Sequence, residues 1–361
     1  MERLSEKEWK AFSVDSLFTK IEATKGKTTS GLVTGEGLPY IAAAKSIIGC
    51  EVCSAEANRE WASKGNGIVL VQLGDGAAGL AHYVPTPFIG MNGKTSVGYS
   101  ENLNLYNGLF ISRCLSSNKA VFSHGHSWTG NRLLSTKVML PVTDSDNPDY
   151  DYMAQYASEM RRSMLMRYKN FIAGQLSQLE HKDIPALGEK EWGEFVLGDI
   201  FTVDAGKRLE TRNKVEGNRP FIGATDNGNG VTGFVGNDNT SKDSNVLGVN
   251  YNGAPCIAFY HPYECIFTDD VKRLHLKNHI DDKYVLLFFT SIFAMQRVKY
   301  SYGYKFKEKR MQRQKLMLPV SDDGKPDYEY MEQYAKNMML RKYEQYLAFI
   351  DRQSAAEEVN I

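Results

Sequence analysis

The sequence predicts a duplicated α+β chain: two tandem domains, mostly β with short helices, each followed by a long helix. Three observations carry this. The chain repeats itself at an offset that drifts only from 183 to 178 residues. Each copy opens with short Gly-, Asn- and aromatic-rich runs. Each copy closes with a long amphipathic stretch.

The repeat is visible at several anchor points. Lys7-Glu8-Trp9, Phe12 and Leu17-Phe18-Thr19 return as Lys190-Glu191-Trp192, Phe195 and Ile200-Phe201-Thr202. Leu38-Pro39-Tyr40-Ile41 returns as Arg219-Pro220-Phe221-Ile222. Lys137-Val138-Met139-Leu140-Pro141-Val142 returns as Lys315-Leu316-Met317-Leu318-Pro319-Val320, and Asp149-Tyr150-Asp151-Tyr152-Met153 as Asp327-Tyr328-Glu329-Tyr330-Met331. Solenoid units run to about 20–50 residues, so this period marks a copied domain large enough to hold a core of its own.

Within each domain Ile68 to Leu73 and Cys256 to Tyr260 read as strands. Asp226-Asn227-Gly228-Asn229-Gly230 and Asn250-Tyr251-Asn252-Gly253 read as tight turns, because Gly and Asn tolerate positive φ. Pro148-Asp149 and Pro326-Asp327 read as helix starts. After them Met153, Ala157, Met160 and Met164, then Met331, Ala335 and Met338, are spaced as a seam for packing on another helix. The alternative is an amphipathic helix lying on its own domain. The preferred arrangement is an antiparallel coiled coil with pseudo-twofold symmetry, each helix having no third element nearby. About 30 residues make roughly 45 Å of helix, enough to hold two heads about one duplex turn apart. The expected divisions are 1–145, 146–186, 187–320 and 321–361.

Bulk properties narrow the function. At 42% hydrophobic and 11% aromatic the chain is ordinary for a globular protein. No apolar run approaches the ~18 residues of a membrane span, and the charged N-terminus has no apolar signal region. Five cysteines without a repeated spacing argue for reduced thiols and a cytoplasmic setting. Net charge is zero, with 43 basic and 43 acidic residues, but the charge is unevenly spread. Residues 299–315 hold seven Lys/Arg and one acid, and residues 207–219 hold five against two.

Catalytic motifs are missing. There is no Asn/Asp-Pro-Pro-aromatic tetrapeptide and no Gly-x-Ser-x-Gly or His-Glu-x-x-His. Gly26-Lys27-Thr28 lacks the upstream glycine of a phosphate-binding loop, where Ile21 stands instead. Cys50 and Cys53 have no second ligand pair. Neither do His124 and His126 have an evident third ligand, so no metal is expected. The Pro-Asp pairs sit at the predicted helix starts and read as caps.

Binding is the remaining class. Lys299, Tyr302, Tyr304, Lys305, Lys307, Lys309, Arg310 and Arg313 interleave cations with aromatics around Gly303; the counterpart holds His124, His126, Trp128 and Arg132. Such a segment can neutralise phosphates, and Arg can grip guanine with two hydrogen bonds. A plain charge run is otherwise a solvated loop. A second surface holds Lys25 and Lys27 in the first copy and Lys207, Arg208, Arg212 and Lys214 in the second. Asn227, Asn229, Asn250 and Asn252 have the groups to read adenine edges, or serve only to shape turns.

With its "MLPV…PDYDYM" and "MLPV…PDYEYM" junctions, the chain resembles the DNA-specificity (S) subunits of restriction–modification systems over nearly its whole length. The resemblance implies two target-recognition domains, each reading one part of a split, asymmetric site on double-stranded DNA. It implies helices that dock DNA methyltransferase subunits or fused methylase–nuclease subunits. It implies a non-catalytic chain without a cofactor, S-adenosylmethionine belonging to the partner. The junction looks most like the BcgI-like type IIB group, with type I also open. A protein-interaction scaffold that does not read DNA is the alternative.

Overall fold

A computed structural model of the chain describes residues 3–358, apart from 48–49, 75, 124 and 301–302. It contains two compact units, Met1–Tyr168 and Lys169–Ile361, and each is considered by itself.

In the first unit the elements run β1 (Trp9–Ser13), α1 (Val14–Leu17), β2 (Lys20–Ala23), β3 (Gly37–Ile41), β4 (Val52–Ser54), β5 (Gly67–Val71), β6 (Ala81–Val84), β7 (Ile89–Gly90), β8 (Thr95–Tyr99), α2 (Leu105–Ser116), α3 (Gly130–Ser135), β9 (Lys137–Pro141) and α4 (Tyr150–Leu176), the last crossing into the second unit. The second runs β10 (Trp192–Val196), α5 (Leu197–Ile200), β11 (Phe201–Ala205), β12 (Arg219–Ile222), β13 (Val231–Val235), β14 (Val246–Asn250), β15 (Ala258–His261), β16 (Ile266–Phe267), β17 (Val271–Leu276), α6 (Lys283–Met295), α7 (Glu308–Gln312), β18 (Lys315–Pro319) and α8 (Tyr328–Glu358). The order is the same element for element.

The pairing is the same too. Each unit has a four-stranded antiparallel sheet, β2-β8-β5-β6 or β11-β17-β14-β15. Each has a three-stranded sheet, β4-β3-β7 or β13-β12-β16, with one antiparallel and one parallel neighbour. A two-stranded ribbon closes each unit, with Trp9 opposite Pro141 and Trp192 opposite Pro319. Gly26 and Gly206 are required by close approach. A Cβ on either would fall inside the backbone of Gly90 or Thr268, the segments that end β7 and follow β16.

The central strands β5 and β14 are buried along their whole length because both faces are covered. Ile68 and Leu70 join the main core of the first unit with Leu140 and Met153, while Val69 faces a second cluster with Ile41 and Phe88. In the second unit Leu247 and Val249 join Phe289, Phe293, Leu318 and Met331, and Val246 faces Ile222 and Phe267.

The long helices start as the sequence predicts. Asp149 Oδ1 accepts from the Tyr152 amide (3.0 Å), and Asp327 Oδ1 from that of Tyr330 (2.9 Å), each satisfying an orphan donor of the first turn. The turns before them place Asp146 (φ 65°) and Gly324 (φ 76°) in the left-handed region. Each cap is clipped back to the start of its own unit, by Lys7 at 2.8 Å and Lys190 at 2.7 Å.

The helix stripe needs correction. Met153 and Met331 are wholly buried in the cores of their own domains. The early turns also have a third element beside them. Phe110 on α2 meets Tyr156 edge-on (5.7 Å), and Phe288 on α6 meets Tyr334 in the same way (5.7 Å). Ala335 is buried and Met338 lines a groove with Leu287 and Ile292 of α6. Met160 and Met164 are 42% and 59% exposed. In α4 the stripe is therefore domain core at its start and open at Met160 and Met164, whereas in α8 it stays beside α6 as far as the half-buried Met338. The half-buried Ala157 lies between Met153 and Met160. Farther on, Ile172 and Ile350 are buried, and Lys169 pairs with Asp351 at 2.6 Å inside the second unit.

Met331→Ala is expected to destabilise the second unit by about 2–5 kcal/mol, as for a buried Met. Met160→Ala is expected to stay within about 0.5 kcal/mol. Denaturant unfolding of the full chain measures both.

Two histidines make a pH prediction. His261 is fully buried, and burial pushes its pKa down to about 4. His275 goes the other way. Burial opposes its charge, but bonds to Asp281 (2.7 Å) and Asp243 (3.1 Å) win and raise it; Arg273 shares Asp243 at 2.8 Å. Stability from His275 is complete below about pH 6.5 and lost as pH rises through its folded pKa. Stability is withdrawn by His261 as pH falls below about 6.5, with a slope near 1.4 kcal/mol per pH unit. The second unit should be most stable near pH 6.5. His261→Leu should flatten the loss between pH 6.5 and 5 while leaving the alkaline side, as read from unfolding midpoints against pH.

Candidate nucleic-acid interface

Each unit builds the same loop ahead of its last short helix. In the second unit Phe306 is fully buried and anchors it. Tyr300 packs on Phe306 (4.6 Å between centroids) and stacks on Tyr304 (5.7 Å, 13° between planes). Arg310 closes the loop. Its Nη1 donates to the Lys305 carbonyl (2.8 Å), and its guanidinium lies 3.9 Å over the Tyr304 ring. The first combines charge with a hydrogen bond and the second is a cation–π contact.

The first unit repeats this 178 residues earlier. Trp128 is fully buried, Phe122 stacks on Trp128 (5.4 Å) and on His126 (6.1 Å, 18°), and Arg132 Nη1 donates to the Ser127 carbonyl (2.6 Å). Arg310 and Arg132 are thus the clasps of their loops. That role was hidden in the sequence, where only their equivalence was visible. His126 stands in the place of Tyr304. His124 and Tyr302 lie outside the described residues.

A hydrogen-bond network fixes the base of the second loop. Tyr300 donates to Gln314 Oε1 (2.6 Å), and Gln314 Nε2 donates to Gln296 Oε1 (3.1 Å), which also accepts from Lys299 (2.7 Å). Burial pushes the Tyr300 phenol up to about 12, so it remains a donor. The acid of the segment, Glu308, is paired at 2.7 Å with Lys272, whose side chain is only 10% exposed. With that acid neutralised, Lys307, Lys309 and Arg313 stand exposed and Lys305 half-exposed. Arg313 donates back to the Lys309 carbonyl (3.0 Å). Sequence reasoning missed Lys272, which is distant in the chain and buried.

The second candidate surface follows β2 and β11. Lys25 and Lys27 are exposed, with the Lys27 ammonium 3.9 Å over the Trp61 ring. Lys27, Thr28, Ser30, Asn92 and Lys94 line one groove. In the second unit Lys207, Arg208, Arg212 and Lys214 are exposed. Arg212 is shared with Glu210 (2.8 Å), and Lys214 lies 4.5 Å over Phe221.

The asparagines are mostly structural. Asn250 is buried, and its amide donates to the Thr225 carbonyl (2.8 Å), so its expected base contact is withdrawn. Asn252 donates to Asp270 (2.8 Å), and Asn229, at φ 53°, donates to the Tyr263 hydroxyl (3.0 Å). Asn227 lies close to Thr225, whose hydroxyl donates to it (3.2 Å). Among the described residues no group of three His, Cys, Asp or Glu side chains is placed to hold a metal ion.

Comparison with known proteins decides what these loops belong to. The model of the type I restriction modification DNA specificity domain matches residues 189–346. The specificity subunit S.BcgI of a type II restriction enzyme from Heyndrickxia coagulans is 44% identical over 237 residues, which cover 66% of this chain and 68% of that one. The chain belongs to the specificity subunits of restriction–modification systems. Among solved structures, a type I S subunit from M. genitalium matches with a TM-score of 0.49 at 16% identity, covering 99% of this chain and 96% of that one. The HsdS subunit from Thermoanaerobacter tengcongensis matches at 0.32 and 13%, covering 96% and 91%. A specificity subunit supplies sequence recognition to its complex, not catalysis.

In such a subunit a clasp and a phosphate contact separate in the salt dependence. Arg310→Ala should cost about 1.5–3 kcal/mol, the worth of its charged hydrogen bond, in discrimination between matched and scrambled duplexes, with the slope of log K against log salt unchanged. Lys307→Ala should weaken all sequences alike and lower that slope by about one. Anisotropy titrations on matched and scrambled duplexes at several salt concentrations separate the two.

Proposed function

We propose that this specificity subunit reads a bipartite, asymmetric sequence in double-stranded DNA, one part per unit. One observation carries the reading. The same clasped loop is built twice, with different chemistry at its tip: His126 and Ser127 in the first unit, Tyr304 and Lys305 in the second. A repeated scaffold gives both units one way of approaching a duplex. Unlike tips give them different bases to read.

The helices dock a DNA methyltransferase, or a fused methylase–nuclease of the BcgI-like kind, and that partner brings S-adenosylmethionine. The exposed Met160 and Met164 support docking. Pairing of α4 with α8 as an antiparallel coiled coil is part of the same reading, supported by the buried Ile172 and Ile350 and the Lys169–Asp351 pair. So is a cytoplasmic setting, where the target duplex is reached. No described helix is long and apolar enough to cross a membrane.

Selection from a random duplex library with the partner complex should recover two short defined blocks at a fixed gap. A flat recovery, with binding insensitive to salt, would instead make the chain an assembly scaffold, because phosphate neutralisation ties log K to log salt. Inserting one heptad after Met160, with a matching heptad in α8, should widen the gap by about 3 bp, from ~1.5 Å per helical residue against ~3.4 Å per base pair. An unchanged gap would mean that the helices do not set the spacing.

A further inference from the structure

We infer that Val298 is the tip of a ridge that enters the major groove and reads a thymine methyl in the half-site of the second unit. The inference deepens the proposed DNA reading and rests on it. Val298 is 93% exposed. A lone exposed Val is ordinary on a protein surface, and its meaning here comes from its neighbours. Residues Arg297–Lys299 form one 3-10 turn at the end of α6. Three residues per turn send successive side chains in three directions. Arg297 lines one groove with Tyr251, Asn252 and Lys305. Lys299 lines another with Tyr304, Arg310 and Arg313. Tyr300 is a wall of both.

The outcome is an apolar tip between two cationic grooves. A DNA groove has the complementary section: base edges on its floor and a phosphate backbone on either side. Arg297 and Lys305 on one side, and Lys299 and Arg313 on the other, suit the two backbones; Arg310 is held in its clasp, and Glu194 in the second groove is paired with Lys315 (2.6 Å). Asp226 approaches Arg297 at 3.5 Å, but both side chains are half-exposed, so water screens the pair and the guanidinium keeps its attraction for phosphate. At the floor an aliphatic tip has one apolar group to meet in the major groove, the thymine C5 methyl. The ridge is rigid. The turn is tied through Gln296 to Gln314 and Tyr300, the network that also holds the clasped loop. In the first unit the equivalent turn, Ser117–Val121, places the exposed Ala120 at the position of Val298, 178 residues earlier.

The test uses the full complex and the duplex it selects. Each thymine of the half-site assigned to the second unit is replaced singly by deoxyuridine, which removes only the methyl. Binding is then measured for the wild type and for Val298→Ala by anisotropy. At one position the wild type should lose about fourfold, the worth of one buried methyl. Val298→Ala should bind the thymine duplex about fourfold more weakly and be indifferent to deoxyuridine there. The substitution is at an exposed site, so an unchanged unfolding midpoint is the expected control. Tolerance of deoxyuridine at every position, or a cost that persists in Val298→Ala, overturns the inference while leaving base reading intact. Failure to select any duplex overturns both.

Discussion

Each unit depends on the pairing of its first strand with its last. β1 meets β9 and β10 meets β18, and the chain then leaves through a turn straight into a long helix. Lys7 and Lys190, just ahead of the first strands, reach Asp149 and Asp327 at the helix caps. The direction of each helix is thereby fixed by residues at opposite ends of a domain. These pairs are mostly shielded, with side chains 16–18% exposed, so losing one partner leaves the other uncompensated. The same carboxylate caps the helix and accepts the lysine. Burial works against the charge of Asp149, but the Lys7 bond and the Tyr152 amide prevail and hold its carboxyl below the usual range.

That double duty explains where the two copies stay alike. The segments around "MLPV" and "PDY" must form a strand, a turn with a left-handed residue, a cap and a core-facing helical turn within about twenty residues. Few residue types satisfy all four demands. Between the anchors a strand needs only to bury one face or two, and many sequences do that. The strand order is therefore preserved where the residues are not.

Much of this was legible in the sequence. The duplication, the caps, the turn glycines and the equivalence of Arg132 with Arg310 all follow from local chemistry at fixed offsets. What the sequence concealed came from distant partners. Met153 and Met331 look like a helix seam because their spacing is helical, yet the partner face is the domain's own core, and spacing does not name a partner. The support from α2 and α6 was missed for that reason. Asn250 has the groups to read a base, but only its neighbour in space, Thr225, shows them to be spent. Lys272 and Glu308 are 36 residues apart and cancel at 2.7 Å, so counting charges along the segment understated how strongly cationic it is.

On the proposed reading, the clasped loop is one framework carrying two different tips. Its buried anchor, its ring stack and its arginine clasp consume the interactions that hold it together, and all lie behind the tip. The residues in front, His126 and Ser127 or Tyr304 and Lys305, contribute a ring face and a backbone carbonyl to that framework. Their remaining atoms are not needed for the fold. A ring at the first position is required for the stack, but imidazole and phenol both satisfy it. At the second position the clasp uses only the carbonyl, although the Ser127 hydroxyl also bonds that of Thr129 (3.1 Å). On the proposed reading, stability and sequence reading fall largely to different atoms of the same residues, so that the tip changes its target without loosening the loop.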